Sequence, residues 1–418
     1  MAHDLARRPL ALSTQPHEDE KLRRRIRDLL EDFVLQDAAR SIREDDSRTF
    51  REQLLLASTP APPFQEAERG RVMARLLKES GAGEPWIDAE GNVLAWMGPP
   101  GPAPLVVSAH LDTVFPASQE ISFRQEGDRW IGPGICDDAR GLAVLLALVR
   151  ALAGLPGRPG YPVLVAASVG EEGVGDLLGV RHLFGPQGAA PDARGFISLD
   201  GAGVGRVIAS GVGSRRFRAT ISGPGGHSWV DWGRVNPIQV LARAVAAFDH
   251  SPLPEGCTVN VGRVEGGTSV NAIPTGVWVE YETRSEREDE LRRIEGALTR
   301  ALEEAVAGAD GAGRDAAGAA SLDIQRIGHR PAGITEPGSP LVRAAVAATR
   351  VVTGTAELAA SSTDANLPMS LGIPAITLGA GGEAGDAHTP AEWYRNVKGP
   401  EGVLRALLTL LALDAAAE

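Results

Sequence analysis

Cysteine is nearly missing from this chain: Cys136 and Cys257 are the only two in 418 residues. They stand far apart and without zinc-ribbon spacing, which excludes a disulfide scaffold and suits a reducing cytoplasm. Cys136 reads as a small buried residue. Long apolar runs are missing too. No stretch approaches the roughly 20 apolar residues of a membrane span, and Met1–Glu20 lacks the apolar core of a secretory signal. The longest runs, Leu142–Val149 and Leu407–Leu413, read as buried helices. Basic charge is in deficit, with a formal net charge of -12. Nucleic acid and anionic membranes both demand clustered Lys and Arg, so neither is expected as a partner. The cluster Lys21–Arg27 is flanked by acids and reads as a solvated helix face. A Gly-x-Ser-x-Gly elbow is absent, which disfavours a serine hydrolase. Gly201-Ala202-Gly203-Val204-Gly205 lacks the spacing of a dinucleotide-binding loop.

What is present is an ordinary folded composition, 43% hydrophobic and 23% charged, too long for one core. The expected organisation has three segments. Residues 1–212 begin an α/β domain, with 1–16 a mobile tail. Residues 213–331 form an inserted smaller domain, and 332–418 complete the first. Leucines at helical spacing predict one or two helices over His17–Ala57, and another over Gln65–Ser80. Trp86–Met97 reads as a hairpin around Ala89-Glu90-Gly91-Asn92. The continuous apolar runs Leu105–Ala109, Val163–Val169, Gly195–Leu199 and Pro374–Leu378 read as strands buried on both faces, with helices between them. That pattern predicts a mostly parallel sheet. After about Gly213 the order becomes strand, helix, strand, strand, helix, strand, the signature of a ferredoxin-like α+β sandwich. The stretch Gly308–Ala320 within it is low in complexity.

The chemistry gathers at the ends of the predicted strands. Val106-Val107-Ser108-Ala109-His110-Leu111-Asp112 places His110 and Asp112 two apart, on one side of an extended chain. Alone, such a pair can simply hydrogen-bond to itself. Gly132-Pro133-Gly134-Ile135-Cys136-Asp137-Asp138 leads into a helix, where Asp137 could also be a plain N-cap. Gly170-Glu171-Glu172-Gly173 follows a buried strand with two adjacent carboxylates, which solvent or a cation must relieve. Asp200-Gly201 could be a turn. Asp386-Ala387-His388-Thr389-Pro390 follows a glycine-rich stretch. In an open parallel sheet the carboxyl ends of the strands share one edge, and ligands bind there. Imidazole and carboxylate without thiolate suit Zn²⁺, Co²⁺ or Mn²⁺. Five candidate ligands exceed the need of one open zinc site, so two metals sharing a carboxylate is the economical arrangement.

Taken together these motifs resemble the dinuclear zinc aminoacylase, carboxypeptidase and tripeptidase superfamily, the M20 metallopeptidases. The pieces are Ser-Ala-His110-Leu-Asp112-Thr, Gly-Pro-Gly-Ile-Cys-Asp137-Asp138, Gly-Glu171-Glu172-Gly, Asp200-Gly, Gly-Gly-His227-Ser and Ala-His388-Thr-Pro, over roughly residues 50–418. Ser361-Ser362-Thr363-Asp364-Ala365-Asn366 and the glycines before His388 look most like the tripeptidase-like branch. The resemblance implies that Asp137 bridges two metals. His110 and Asp200 would complete one site, Glu172 and His388 the other. Asp112 would orient His110, and Glu171 would be the general base on a bridging water. His227, from the inserted domain, would help hold the oxyanion in a partner subunit, so the resemblance also implies a homodimer paired through that domain. Arg284 in Glu282-Thr283-Arg284 would grip a substrate carboxylate, and Asn260 would bind substrate. Many relatives carry Asp-Lys-Gly-Gly or Asp-Lys-Ala-Gly after the bridging Asp. Here it is Asp138-Ala139-Arg140-Gly141, with the basic residue one place later. The implied activity is hydrolysis of an amide bond in a short peptide. The alternatives are an N-acyl amino acid amidohydrolase, a carboxypeptidase, or a metal-free binding protein on the same fold.

Overall fold

The computed structural model describes residues 16–249, 253–310 and 319–413. Contacts divide the chain into two compact units, one running to Gly211 and resuming at Ile334, the other Val212–Gly333. Most of the expected tail and the middle of Gly308–Ala320 lie outside the described residues. Pro16 does not: it opens a helix, Pro16–Glu31.

The first unit is built on its central sheet, ordered Trp86–Ile87, Val93–Met97, Val163–Ser168, Leu105–His110, Gly195–Leu199, Ala375–Leu378, Arg206–Gly211. The four strands from Val163–Ser168 to Ala375–Leu378 run parallel. Along Leu105–His110, side chains alternate between two cores: Leu105, Val107 and Ala109 enter one, Val106 the other. The first core packs under the helices Ala139–Ala153, Pro340–Thr353 and Gly399–Leu413. The second packs under the short helices Leu178–Leu183 and Asn366–Ser370. With helices on both faces, the strands must be apolar on both, and they read that way in sequence.

Two details differ from expectation. His17–Ala57 holds three helices, Pro16–Glu31, Phe33–Glu44 and Asp46–Ala57. Their breaks fall on single aspartates. The Asp32 carboxylate accepts the Val34 N–H, an N-cap that ends one helix and starts the next without glycine or proline. A small antiparallel sheet of three-residue strands also forms from Arg124–Glu126, Arg129–Ile131, Trp393–Arg395 and Glu383–Gly385.

The second unit is a four-stranded antiparallel sheet in the order Thr258–Gly266, Gly276–Ser285, Gly213–Ser222, Ser321–Arg330. Helices Pro237–Asp249 and Glu288–Asp310 bury Val240, Phe248, Ile294 and Leu298 against Phe217, Val279 and Tyr281. This is the ferredoxin-like order expected from the sequence. The whole is an α/β fold with a mostly parallel central sheet.

Candidate metal centre

His110, Glu172 and Asp200 follow the carboxyl ends of parallel strands, Asp137 stands just ahead of helix Ala139–Ala153, and His388 follows the short strand Glu383–Gly385; all five lie at one edge of the first unit. Asp137 is the centre of the cluster. Its Oδ1 lies 3.1 Å from His110 Nε2 and its Oδ2 lies 3.0 Å from His388 Nε2. His388 Nε2 is also 3.0 Å from Glu172 Oε1. Candidate ligand atoms of His110, Asp137 and Glu172 lie within 4.8 Å of one another, and so do those of His110, Asp138 and Asp200. His388 holds a left-handed backbone, φ 65°. A non-glycine residue adopts that conformation at a cost and mostly where function constrains it.

Local hydrogen bonds explain why each group stands where it does. His110 Nδ1 lies 3.1 Å from the carbonyl oxygen of Asp112, a contact that fixes the ring and leaves Nε2 facing Asp137. The Asp112 carboxylate accepts the N–H groups of Glu171 and Glu172, at 2.9 and 2.7 Å. Asp112 therefore holds the Glu171-Glu172 turn, and both glutamates are buried. The N-cap of helix Ala139–Ala153 is Asp138, not Asp137: Asp138 Oδ1 accepts the Gly141 N–H and Oδ2 accepts the His110 N–H. That leaves the Asp137 carboxylate to the histidines. A Cβ on Gly141 would lie 2.2 Å from both Asp138 Oδ1 and the Leu199 carbonyl, so only glycine admits this close approach. The displaced basic residue, Arg140, is fully buried. Its Nε donates to the Ala380 carbonyl at 2.9 Å and its guanidinium lies over the Tyr394 ring, so it braces the glycine-rich segment before His388.

The titration behaviour of the cluster shows a shortage of positive charge. Burial, then Asp137, pushes Asp200 up to about 7. Burial is also the main cause that raises Asp138 well above the usual carboxylate range, with Asp200 and Asp137 adding to it. Hydrogen bonds that its ring donates to Asp137 and Glu172 raise His388 to about 10. Burial opposes charge on His110, yet Asp112 and Asp137 carry it well above the usual imidazole value. Close carboxylates with imidazole nitrogens among them are a donor set that fits divalent cations of the zinc, cobalt or manganese kind.

One contributor is not marked by any sequence pattern. Glu392 is buried, and its Oε1 accepts the N–H groups of Cys136 at 2.7 Å and Asp137 at 2.9 Å, while Oε2 accepts that of Gly134 at 3.2 Å. Its own carbonyl accepts the Gly132 N–H. It thus joins the Asp137 loop to the segment just after His388. Glu392→Gln replaces one acceptor by a donor against these N–H groups. The expected loss is about 1–3 kcal/mol of stability and roughly 10–100-fold in metal affinity. Thermal melts and chelator competition measure both, and an affinity within twofold of wild type would show that the loop holds Asp137 unaided.

The remaining candidates lie in the second unit. His227 pairs with Ala272 in a two-residue ladder and is exposed. Its Nδ1 accepts the Trp229 N–H at 3.1 Å, which puts the proton of the neutral ring on Nε2. Asn260 and Glu282 are register partners, and Glu282 faces Arg216 on the next strand. Arg284 donates through Nε and Nη2 to both oxygens of Glu282, at 2.8 and 3.0 Å.

Residues 106–412 match the sequence profile of Peptidase family M20/M25/M40. The uncharacterized protein YqjE of Bacillus subtilis is 25% identical over 366 residues, 83% of this chain and 93% of that protein. Two solved structures share the fold. Aminopeptidase PepT from Bacillus cereus superposes with a TM-score of 0.72 at 23% identity, covering 88% of this chain and 98% of that one. A tripeptidase from Staphylococcus aureus gives 0.73 at 20% identity, with the same coverage of 88% and 98%.

Proposed function

The chain belongs to peptidase family M20/M25/M40 and is a hydrolytic enzyme, and we propose that it cleaves the amide bond of a short peptide bearing a free carboxylate, in the cytoplasm, with two divalent cations, zinc first among them. The observation that carries this is the placing of the two oxygens of Asp137 against two different imidazoles, His110 and His388. A carboxylate so placed can serve two cations at once. His110 and Asp200 would hold one, Glu172 and His388 the other. Such cations, when bound, polarise a scissile carbonyl and lower the pKa of water toward about 7.

The protein supplies the rest. Glu171, held by its N–H to Asp112, takes a proton from the attacking water as its oxygen bonds to the carbonyl carbon. It then gives that proton to the nitrogen as the C–N bond breaks. Asp112 holds the turn on which Glu171 and Glu172 sit, and its backbone carbonyl orients His110. Arg284 and Asn260 bind substrate. One edge of the Arg284 guanidinium, Nε and Nη2, rests on Glu282, so an incoming carboxylate takes the Nη1 side of the planar group or exchanges with that glutamate.

The test is a hydrolysis screen of tripeptides, dipeptides and N-acyl amino acids with metal-loaded protein, followed by product identification. Tripeptides should be cleaved fastest. Preferential cleavage of N-acyl amino acids would replace the peptide substrate by an amidohydrolase one, and cleavage of none would remove the hydrolytic mechanism.

We also assign the enzyme as a homodimer through the second unit. Support comes from the surroundings of His227, where Trp229 and Trp232 are each 85% exposed and Val270 is 102% exposed. Large apolar groups so bare mark an interaction surface. If His227 acts on the partner's substrate, subunits carrying His227→Ala mixed with subunits carrying Glu171→Ala should regain activity, up to about a quarter to a half of wild type. Heterodimers demonstrated by mass and yet inactive would refute supply across the dimer.

A further inference from the structure

Beside Asp200 a cavity of about 250 Å³ opens on one face of the central sheet. It is smaller than the roughly 300–1,000 Å³ of a drug-sized site, so it holds one side chain or end group. Its edge position follows from strand direction. Gly195–Leu199 and Ala375–Leu378 run parallel and end at the metal centre. Arg206–Gly211 runs antiparallel to Ala375–Leu378, with Val207 opposite Leu378. Its first residue, Arg206, therefore arrives at the edge that carries Asp200, and both residues line the cavity.

Two features of the lining point to a ligand. The first is Gly205. Its backbone is not in the left-handed region, and a Cβ there would meet no atom within 4 Å. Neither conformation nor packing within the chain calls for glycine. Gly201 and Gly203, which line the same wall, likewise face open space. The second is Arg206. It is exposed and makes no ion pair among the described residues, although Glu357 is its register partner on the neighbouring strand. On the paired strands of the second unit, by contrast, Arg215, Arg216, Arg218 and Arg284 each hold a glutamate. Across the cavity stand the hydroxyl residues Ser361 and Thr363, the latter hydrogen-bonded to Thr377 at 2.7 Å.

We propose that this cavity is a subsite for a carboxylate of the substrate, bound by Arg206 between the glycine wall and the hydroxyls. A guanidinium fork matches a carboxylate in shape and charge. The subsite rests on Asp200 being a metal ligand as proposed above, since an ionised Asp200 without a cation would repel the incoming group. The carboxylate can be an Asp or Glu side chain, with the chain terminus left to Arg284, or the terminus itself, in which case Arg284 takes no carboxylate.

Glutarate, a bare dicarboxylate, is the probe, titrated calorimetrically into the metal-loaded protein. Arg206→Gln should weaken it at least tenfold. Gly205→Val, which fills the cavity, should do the same with an unchanged melting temperature. No binding to wild type, or affinities equal within twofold for wild type and Arg206→Gln, overturns the subsite whether or not peptides are hydrolysed. Glutarate binding to wild type that Arg206→Gln weakens at least tenfold, in a protein that cleaves no peptide, would keep the subsite and refute the short-peptide substrate. With peptides that are cleaved, a kcat/KM penalty of Arg206→Gln that vanishes when Glu is replaced by Gln assigns the side chain as the source. One that vanishes on C-terminal amidation assigns the terminus. A penalty indifferent to both overturns carboxylate recognition.

Discussion

Glu171→Gln should lower kcat by roughly 10²–10⁴-fold, the usual worth of a general base, and leave metal content at the wild-type level. Glutamine keeps the shape of the side chain and the backbone N–H that Asp112 holds at 2.9 Å, so the turn should not move. What it removes is the group that accepts a proton. The neighbour Glu172 does not replace it, since its Oε1 is 3.0 Å from His388 Nε2 and engaged in the cluster. Melting temperature should stay the same or rise, because one buried carboxylate among several has been neutralised. Steady-state kinetics beside metal analysis separates the outcomes. A near-normal kcat would remove Glu171 from proton transfer. A lost metal would make it a ligand and not a base.

Asp112→Ala should damage both stability and catalysis. The carboxylate is fully buried and satisfies two buried N–H groups. Leaving each without an acceptor costs about 1–3 kcal/mol, so the pair costs about 2–6 kcal/mol. The same loss frees the turn that carries Glu171 and Glu172. A displacement of about 1 Å at a reacting group costs on the order of 10²-fold, and a lost partner behind a metal-ligand residue costs roughly 10–100-fold in affinity. Together kcat/KM should fall by on the order of 10³–10⁴-fold. Asp112→Asn should fall between, since it keeps one acceptor and turns a donor on the other N–H. Titration with excess metal distinguishes the two routes. Full recovery of kcat at saturation would mean that Asp112 serves the metal alone and does not place Glu171.

The sheet was legible because a strand buried on both faces has to be almost wholly apolar, and Val163–Ser168 and Gly195–Leu199 carry a single serine each. The polar residues that break those runs then stand out at one edge. Choices between neighbours were not legible. Asp137 and Asp138 both sit at a helix start, and only coordinates show that Asp138 accepts the Gly141 N–H. Glu392 is not legible because its partners are main-chain N–H groups, which have no residue identity to read. The helix breaks at Asp32 and Asp45 rest on single residues, below what apolar periodicity resolves. The three-residue strands around Trp130 and Trp393 are too short to show alternation.

Glu392 meets the Cys136 N–H across 256 positions of chain. During synthesis, His110, Asp137, Glu172 and Asp200 leave the ribosome long before His388 and Glu392 do. For most of that time the nascent polypeptide carries half a cation trap, with nothing to lock the Asp137 loop. Metal capture is therefore a late event in the life of a new molecule, and a chain stopped before His388, which lacks Glu392 and the helix Gly399–Leu413 of about four turns, should hold cations far more weakly than the finished protein.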